Sequence, residues 1–572
     1  MSEKKLSANE GIKTRSNYLR GTIKEGLSDL STGAMSEDDQ QLLKFHGTYQ
    51  QDDRDLRPDR RKHRLEKAYS FMIRIRVPGG VATSQQWIET DRLATQFANG
   101  TIKLTTRQAF QFHGIIKTNL KRTIKEINDA AMDTIAACGD VNRNVMCNPN
   151  PHLSSVHAEV LKAAQDISTH LTPATRAYHE IWLDGEKIES TEEEQEPIYG
   201  KTYLPRKFKI TIAVPPSNDV DIFANCLSFI AIVEKGKLLG YNVAVGGGMG
   251  STHGNEATYP RIADVIGFCT PEQVVDVSEK VVLVQRDFGD RTDRKHSRFK
   301  YTVDDHGPEW ILAKLNEYLG YELGPVRPYE FTDNGDRFGW VEDEVGNFHY
   351  TLFVEGGRVL DTADYPMRTG LLEIAKIHDG DFRLTANQNL VIANISAKKR
   401  AEVEALLEKY GMARSHERSA LRLSSIACVA LPTCSLALAE AERYLPEVIT
   451  DLEEDLENAG LRHDSITIRM TGCPNGCGRP FISEIGFVGR GPDRYNLYLG
   501  GGHAGQRLSK LYRQDLNSSE IRDTLAPIFK HYAKDRNEGE HFGDFVIRMG
   551  YVVATVQGGD FHKNIKADAI PS

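Results

Sequence analysis

The 572-residue sequence lacks any hydrophobic run long enough to cross a membrane. A spanning helix needs about 18 consecutive apolar residues, and the most apolar stretch, residues 426–439, is interrupted by Pro432, Thr433 and Ser435. The N-terminus, Met1-Ser-Glu-Lys-Lys-Leu6, has no apolar signal segment, and its acidic residue argues against a transit peptide. We therefore expect a cytoplasmic protein without a membrane partner.

Cysteine is scarce, and positive charge is not in excess. Eight cysteines in 572 residues are too few for a disulfide framework. The formal net charge of −9 gives no sign of a nucleic-acid partner. If the protein binds an anion, its cations must be concentrated locally. The length itself suggests about three or four domains.

Three short motifs occur twice, in the same order along the chain. Residues 71–80 (FMIRIRVPGG) are echoed by residues 348–357 (FHYTLFVEGG), and residues 103–108 (KLTTRQ) by residues 383–388 (RLTANQ). Residues 240–248 (GYNVAVGGG) are echoed by residues 494–502 (RYNLYLGGG). Such ordered recurrence indicates an internal duplication.

The local patterns within each copy predict the same succession of elements. A helix is predicted after each Gly-Gly pair, over residues 85–97 and 368–378, followed by a Leu-Thr strand and a second strand over 109–115 and 389–395. A further helix is predicted over 397–410, because Val403, Leu406 and Leu407 share one helical face. This alternation predicts a mixed α+β or α/β fold with pseudo-twofold repeats.

Half of the cysteines fall between residues 428 and 477. Cys428 and Cys434 are separated by five residues, and Cys473 and Cys477 by three. Four thiolates can hold a cubane iron–sulfur cluster, whereas zinc sites usually use closer pairs or nearby histidines. Ordinary buried cysteines rarely form two close pairs. The spacing favours iron–sulfur, and a non-enzymatic iron–sulfur or zinc-binding module stays open at this point.

Three basic clusters stand out in this acidic chain. Arg74 and Arg76 alternate with apolar residues, as Lys207 and Lys209 do within residues 206–214, so each pair shares a face of a predicted strand. Residues 286–300 hold six Arg or Lys against three Asp. An alternating charged strand is usually a solvated sheet face, so the pattern alone does not decide between a surface and an anion site.

The cysteine motif with Thr471-Gly-Cys-Pro-Asn-Gly-Cys477 resembles the signature of the sulfite and nitrite reductase haemoprotein family. Residues 17–23, 45–54 and 370–375 are similar to the bacterial assimilatory sulfite reductase members, and the similarity spans essentially the whole chain. The resemblance implies sirohaem coupled to a [4Fe-4S] cluster and the six-electron reduction of sulfite to sulfide. A sirohaem-dependent nitrite reductase is the nearest alternative. A dissimilatory enzyme is less expected, because no further cysteine quartet is present.

The resemblance also implies roles for individual residues. It implies that the cluster is held by Cys428, Cys434, Cys473 and Cys477, and that Cys477 also ligates the sirohaem iron. It implies that sulfite is bound and activated by Arg74, Arg143, Lys207 and Lys209. The implied sirohaem contacts are Thr105, Arg107, Gln111, His113, Arg206 and Lys103. At Lys103 close bacterial relatives carry arginine, and lysine lacks the bidentate fork.

The domain boundaries and the electron donor follow from the same resemblance. We expect an N-terminal extension (1–69, polar and extended in its first 45 residues), a discontinuous pair of ferredoxin-like repeats (70–135 with 340–412), an α/β domain with the substrate cations (136–339) and an α/β domain with the cysteines (413–572). The glycine runs at 246–250 and 500–502 lack dinucleotide-binding spacing. Electrons must therefore come from a separate protein, and the resemblance favours an NADPH-oxidising flavoprotein with FAD and FMN over ferredoxin.

Overall fold

The computed structural model describes residues 5–185 and 194–566. Its strands are β1 (Thr48–Asp52), β2 (Tyr69–Ile75), β3 (Val81–Thr83), β4 (Ile102–Leu104), β5 (Phe110–Ile115), β6 (Met146–Cys147), β7 (Ile210–Ala213), β8 (Leu227–Glu234), β9 (Lys237–Val245), β10 (Asp264–Cys269), β11 (Gly339–Glu342), β12 (Phe348–Leu352), β13 (Arg358–Val359), β14 (Asp381–Leu384), β15 (Leu390–Ile395), β16 (Ser425–Ala427), β17 (Ile468–Thr471), β18 (Ile485–Gly491), β19 (Arg494–Leu499) and β20 (Lys510–Leu516).

The α-helices of the described residues alternate with these strands. They are α1 (Ala8–Arg15), α2 (Ile23–Ser28), α3 (Glu37–Leu42), α4 (Arg57–Lys62), α5 (Ser84–Phe97), α6 (Leu120–Asp129), α7 (Val156–His170), α8 (Ala177–Trp182), α9 (Val274–Phe288), α10 (Phe299–His306), α11 (Pro308–Leu319), α12 (Met367–Ile377), α13 (Ala397–Lys409), α14 (Ala420–Leu423), α15 (Leu445–Asn458), α16 (Ser518–Asp535) and α17 (Phe542–Arg548). None of them combines the length and the apolar character that crossing a bilayer requires.

Two five-stranded sheets share one mixed topology. In the order β6-β7-β8-β9-β10 the first three strands are parallel and the last two are added antiparallel. The order β16-β17-β18-β19-β20 repeats this arrangement strand for strand. The duplication predicted from the three repeated motifs is therefore confirmed in the backbone.

The other two sheets are also copies of each other, and they exchange a strand. One has the order β1-β2-β5-β4-β13 and the other β11-β12-β15-β14-β3. The short strand after each Gly-Gly pair leaves its own copy: β3 pairs with β14 and β13 pairs with β4. This reciprocal exchange ties the two copies into one body with a pseudo-twofold relation.

The predicted elements of the repeats agree with the structure within one residue at each end. α5 and α12 lie where the two post-glycine helices were predicted, and β5, β15 and α13 match the later elements. One apolar core contains residues of both strand-exchanged sheets and of the first mixed sheet. We call the parts of the chain built on the sheets β6–β10 and β16–β20 the first and the last mixed-sheet unit. A second core fills the last mixed-sheet unit, and Cys428 and Cys434 pack at its margin.

The N-terminal segment differs from the expectation for its first 45 residues. Residues 5–45 form α1, α2 and α3 instead of an extended polar chain. Leu19, Ile23 and Leu43 are at most 1% exposed and belong to the large core. The buried Lys13 ammonium group donates to the Leu204 carbonyl at 2.7 Å. Because most of this segment is polar, the few buried side chains that anchor it could not be identified from composition.

Candidate active site

The four clustered cysteines follow two adjacent parallel strands. Cys428 comes directly after β16, and Cys473 lies two residues beyond β17. Because parallel strands end at the same sheet edge, both cysteine segments emerge side by side. The Gly472 amide donates to the Cys428 sulfur at 3.4 Å, and the Asn475 amide group donates to the Cys473 sulfur at 3.4 Å.

The turn after β17 requires glycine. A Cβ atom at Gly472 would lie 2.5 Å from the Ala439 carbonyl oxygen. Gly476 has a φ of +63°, and its Cβ would meet the Met249 carbonyl oxygen at 3.0 Å. The Ser251 amide donates to the Pro474 carbonyl at 2.9 Å. The cysteine loop therefore packs directly on the glycine run at 246–250, which follows β9 of the first mixed sheet.

The spacing of the sulfur atoms fits a cluster better than a single metal ion. The thiols of Cys428, Cys434 and Cys473 each interact electrostatically with the Cys477 thiol, so the four converge. Yet no three of these sulfurs lie within 4.8 Å of one another, whereas tetrahedral zinc would hold its thiolates about 3.8 Å apart. Four converging but more widely spaced thiols suit a polynuclear iron–sulfur group. Burial, followed by the charge of Cys477, raises the pKa of Cys473 to about 11.

The cations predicted to bind the substrate lie beside Cys477. Arg74, Lys207 and Lys209 all interact electrostatically with its thiol. Arg143 lies close enough to Lys207 to affect its charge, and it is held by its backbone amide, which donates to Phe208 O at 3.0 Å, and by its Nε, which donates to Gly139 O at 2.8 Å. The structure therefore brings the predicted cation set and the predicted cluster ligands to one place. We call Arg74, Arg143, Lys207 and Lys209 the cation cleft.

Lys207 and Lys209 approach the cleft ahead of β7. The regular strand begins at Ile210, later than the predicted strand over 206–214, although Phe208 forms an isolated bridge with Asn142. The predicted alternation still holds, because Phe208, Ile210 and Ile212 are fully buried while the two lysines keep partial exposure. The lysine side chains thus line a cleft instead of filling the core.

The ammonium groups of Lys207 and Lys209 form no hydrogen bond and no ion pair with any residue in 5–185 or 194–566. Burial, reinforced by the charges of Arg298 and Arg206, lowers the pKa of Lys207 to about 7. Burial and the adjacent Lys207 hold the pKa of Lys209 well below its usual value. Enclosed cations without a counter-charge are costly unless an anion joins them.

Further cations surround this cleft. Arg107 donates to Asn225 Oδ1 at 2.7 Å and to Ile210 O at 2.6 Å, but its buried Nε has no partner among the described residues. Burial lowers the pKa of Arg107 to about 9. The Nε of Arg298 is likewise buried without a partner. Buried donors without partners beside the cation cleft are what a polycarboxylate ligand would satisfy.

The side chains of Gln111, His113 and Lys103 belong to one buried chain of polar contacts. Arg74 donates to Gln111 Oε1 at 2.9 Å, and the Gln111 amide nitrogen lies 2.8 Å from His113 Nε2. His113 Nδ1 is 3.2 Å from Arg358 Nη1, and Arg358 pairs with Glu442 at 2.6 Å. Gln111 and His113 therefore hold Arg74 in place from behind.

Lys103 already has a carboxylate within the chain. Its ammonium group lies 2.6 Å from Glu442 Oε2, and the residue is 1% exposed. Lys103 and Arg358 hold the pKa of the buried Glu442 carboxyl down at about 2. A cofactor contact through Lys103 would have to compete with this pair. The implied sirohaem contact at Lys103 stays a prediction with weaker support than the one at Arg107.

Thr105 and Arg206 occupy more peripheral roles. The Thr105 hydroxyl accepts from the Arg107 and Ala109 amides at 3.3 and 3.2 Å and so closes the β4–β5 turn that presents Arg107. Arg206 lies 3.8 Å from Asp140 and is about a third exposed, with 30% of its side-chain surface accessible. Burial lowers the pKa of Arg206 to about 10.

Several site residues were not singled out from the sequence. Arg298 and Lys300 lie in the basic run at 286–300, but spacing alone did not separate them from Arg294, which pairs with Asp140 at 2.8 Å. Lys300 donates to the Gly250 carbonyl at 2.6 Å. Cys138, one of the four cysteines outside the 428–477 group, accepts from Arg74 Nη1 at 3.0 Å. The signal that could have found these residues was the crowding of basic residues in a chain of negative net charge.

Family comparisons agree with this architecture. A family described as "Nitrite/Sulfite reductase ferredoxin-like half domain" matches residues 63–130 and 341–410. Another, "Nitrite and sulphite reductase 4Fe-4S domain", matches residues 162–323. The latter match covers β7 to β10 of the first mixed sheet, while the clustered cysteines lie in the unit that repeats its topology.

Individual proteins match nearly the whole chain. A "Sulfite reductase [NADPH] hemoprotein beta-component" of Anoxybacillus flavithermus is 61% identical over 97% of both chains. The protein of the same name from Staphylococcus saprophyticus is 58% identical over 98% of both. The solved structure of Mycobacterium tuberculosis NirA superposes with a TM-score of 0.77 at 25% identity, over 95% of this chain and 96% of that one. The chain belongs to the nitrite and sulfite reductase family.

Proposed function

We propose that this chain is the haemoprotein component of an assimilatory, NADPH-dependent sulfite reductase. It reduces sulfite to sulfide with electrons from a separate NADPH-oxidising flavoprotein, and it works in the cytoplasm. The observation that carries the proposal is the pair of enclosed ammonium groups of Lys207 and Lys209 beside Cys477, which have no partner among the described residues. We choose sulfite as the substrate because the relatives are named as sulfite reductase components.

The chain's own residues fit the two cofactors of this reaction. Cys428, Cys434, Cys473 and Cys477 would hold a [4Fe-4S] cluster, and Cys477 would also ligate sirohaem. Arg107 and Arg298, with their unused buried donors, would bind the carboxylates of sirohaem. When bound, these groups accept single electrons and store them for a six-electron reduction.

The cation cleft would act on the substrate. Arg74 and Arg143 have fixed positions and keep their charge, so they suit holding the oxygen atoms of sulfite. Each departing oxygen must leave as water and therefore needs protons. A lysine whose pKa lies near 7 can give a proton at neutral pH and take it back from water. We assign this proton delivery to Lys207, assisted by Lys209, whose pKa is also held well below its usual value.

The direct test is sulfide formation by the reconstituted holoenzyme with photoreduced methyl viologen as reductant. We expect stoichiometric sulfide from sulfite, and a kcat/KM for sulfite above that for nitrite. The same cations could hold nitrite, so a clear preference for nitrite would instead make the chain a nitrite reductase. A protein that binds zinc and shows no tetrapyrrole absorption would reject both activities.

A further inference from the structure

The loop that carries Cys434 reaches the protein surface. Residues 431–434 are partly exposed, and Leu436, two residues beyond Cys434, is 62% exposed. The buried Ala437 and Ala439 anchor the other end of this loop. A large, solvent-exposed apolar side chain therefore lies only two residues from Cys434, one of the cysteines assigned to the cluster.

A basic segment lies directly against this loop. The Arg54 amide donates to Pro432 O at 3.2 Å, and Arg54 Nη1 donates to Ala437 O at 2.6 Å. Asp55 pairs with Arg443 at 2.7 Å, which fixes the segment a second time. α4 begins three residues after Arg54 and is only about 9 Å long. Its side chains therefore stay close to the Cys434 loop.

The charge of this segment is unlike that of the chain. Residues 54–64 hold six Arg or Lys against two Asp, whereas the chain has a net charge of −9. Arg61, Lys62 and Arg64 are exposed and form no ion pair with any described residue. Leu56 and Leu65 flank them and are 48% and 55% exposed.

Six exposed residues on these two segments make up one candidate binding surface. The leucine–arginine surface consists of Leu56, Arg61, Lys62, Arg64, Leu65 and Leu436. Single exposed leucines are ordinary, but three of them on two bonded segments, with free cations between them, have the composition of a protein-binding patch. Its small extent suits a transient partner that dissociates after each encounter.

We propose that the leucine–arginine surface is the docking site of the electron-donating flavoprotein, through an acidic and partly apolar rim around its flavin. This inference rests on the proposed function, because it requires electrons to enter through the cluster cysteines. Each encounter passes one electron from reduced flavin to the oxidised cluster, and the proton released by the flavin goes to water. Opposite charge speeds such encounters without making the complex permanent.

The test reverses charge on this surface without touching the cleft. The variant is Arg61→Glu with Lys62→Glu, and the matched control is Lys398→Glu with Lys530→Glu, two exposed lysines on α13 and α16 without ion-pair partners among the described residues. Each holoenzyme is assayed for sulfide formation with photoreduced methyl viologen and, separately, with NADPH and the purified flavoprotein of the same organism. A second pair, Leu436→Asp against Val345→Asp, tests the apolar part, since Val345 is 81% exposed elsewhere.

We expect the KM for the flavoprotein to rise about tenfold or more in both surface variants, and in the variant Arg61→Glu with Lys62→Glu it should also lose much of its salt dependence. Their viologen-driven rate should match that of the controls, which shows that the fold and cofactors are intact. Equal flavoprotein KM values in surface and control variants would overturn the docking site while leaving the proposed function in place. Wild-type protein that makes no sulfide with viologen would reject the proposed function, and this inference with it.

Discussion

At the scale of single residues, the site depends on cations that the protein leaves without a counter-charge. Lys207 and Lys209 are enclosed, yet neither contacts a carboxylate among the described residues. Several other buried cations do have one, as Arg469 has Asp221 at 2.8 Å. The protein therefore gives up stability at this point for anion binding and proton transfer.

Replacing Lys207 by methionine should lower kcat for sulfite about 100-fold or more, because a positioned proton donor contributes at least that much. The side-chain volume is kept and the charge is lost, so sirohaem absorption should remain. Lys201→Met, on an exposed lysine six residues earlier, serves as the control. Rates are measured with photoreduced methyl viologen, and wild-type turnover in Lys207→Met with intact cofactors would refute the assignment.

The same residue predicts the pH dependence of the rate. Lys207 is active when protonated, and its pKa in the cofactor-free protein is lowered to about 7. Bound anions raise this pKa, so kcat/KM should fall with rising pH at a midpoint at or above 7. The falling limb should disappear in Lys207→Met. A variant that keeps the wild-type limb would place the titrating group elsewhere.

For the cysteines, Cys434→Ser should abolish the iron–sulfur absorption and the labile sulfide of the reconstituted protein. Serine is a poor ligand for the iron of such a cluster, and the remaining three thiols leave one corner open. Cys269→Ala is the matched control, because burial raises the pKa of this cysteine to about 12 and keeps it inert. Equal labile sulfide in both variants would remove Cys434 from the ligand set.

At the scale of elements, the exchanged strand β13 holds the polar chain behind Arg74. Arg358 of β13 pairs with Glu442 at 2.6 Å, and Glu442 also pairs with Lys103 of β4. The Glu442 amide donates to Cys428 O at 3.1 Å. One carboxylate therefore links the strand exchange to a cysteine segment.

Glu442→Gln should lower the free energy of unfolding by about 3 kcal/mol at pH 7, since it leaves two buried cations with a neutral partner. The pKa of Glu442 is about 2 when folded against an ordinary 4.5, so its stabilisation is complete above pH 4.5 and is lost as the pH falls toward 2. Urea unfolding of the cofactor-free protein measures this. Glu440→Gln, in a surface pair with Arg443, should change the stability by less than about 1 kcal/mol.

The limits of prediction from sequence are visible at this scale. α5, α12 and α13 could be placed because their apolar periodicity is local. The exchange of β3 and β13 could not, because each strand is only two or three residues long and pairs across the duplication. The ion pair of Lys103 with Glu442 could not be predicted either, since the two residues lie 339 positions apart in the sequence.

At the scale of the whole molecule, Arg479 connects all four sheets. It follows Cys477, pairs with Asp221 of the first mixed-sheet unit, and donates to Thr106 O at 2.9 Å and Ala386 O at 2.8 Å in the turns of the two strand-exchanged sheets. Arg469 of β17 also pairs with Asp221 at 2.8 Å. The cysteine loop is thus held where the duplicated halves meet.

Asp221→Asn should destabilise the protein by about 3–5 kcal/mol, because two buried arginines lose their shared carboxylate. It should also weaken sirohaem retention, since the Cys477 loop is no longer fixed against the β4–β5 turn. Asp287→Asn, in the half-buried pair with Arg286, is the control and should have a small effect. Unchanged unfolding and unchanged sirohaem content would show that Arg479 does not position the loop.

The family and the convergence of the four cysteines could be predicted from short motifs, because each motif places its functional residues within a few consecutive positions. The helical N-terminal segment could not, since its anchors Leu19 and Ile23 are isolated apolar residues in a polar stretch. The absence of partners around Lys207 is likewise a property of three-dimensional packing. No local sequence pattern distinguishes Lys207 from a solvated lysine.

The proposed reaction depends on Cys477, which joins the four-cysteine site to the cation cleft. Mössbauer spectroscopy of the ⁵⁷Fe-enriched holoenzyme measures this link directly. We expect the tetrapyrrole iron and the cluster irons to share one magnetically coupled spin system. A cluster that stays diamagnetic beside an independent tetrapyrrole iron would contradict the shared thiolate at Cys477.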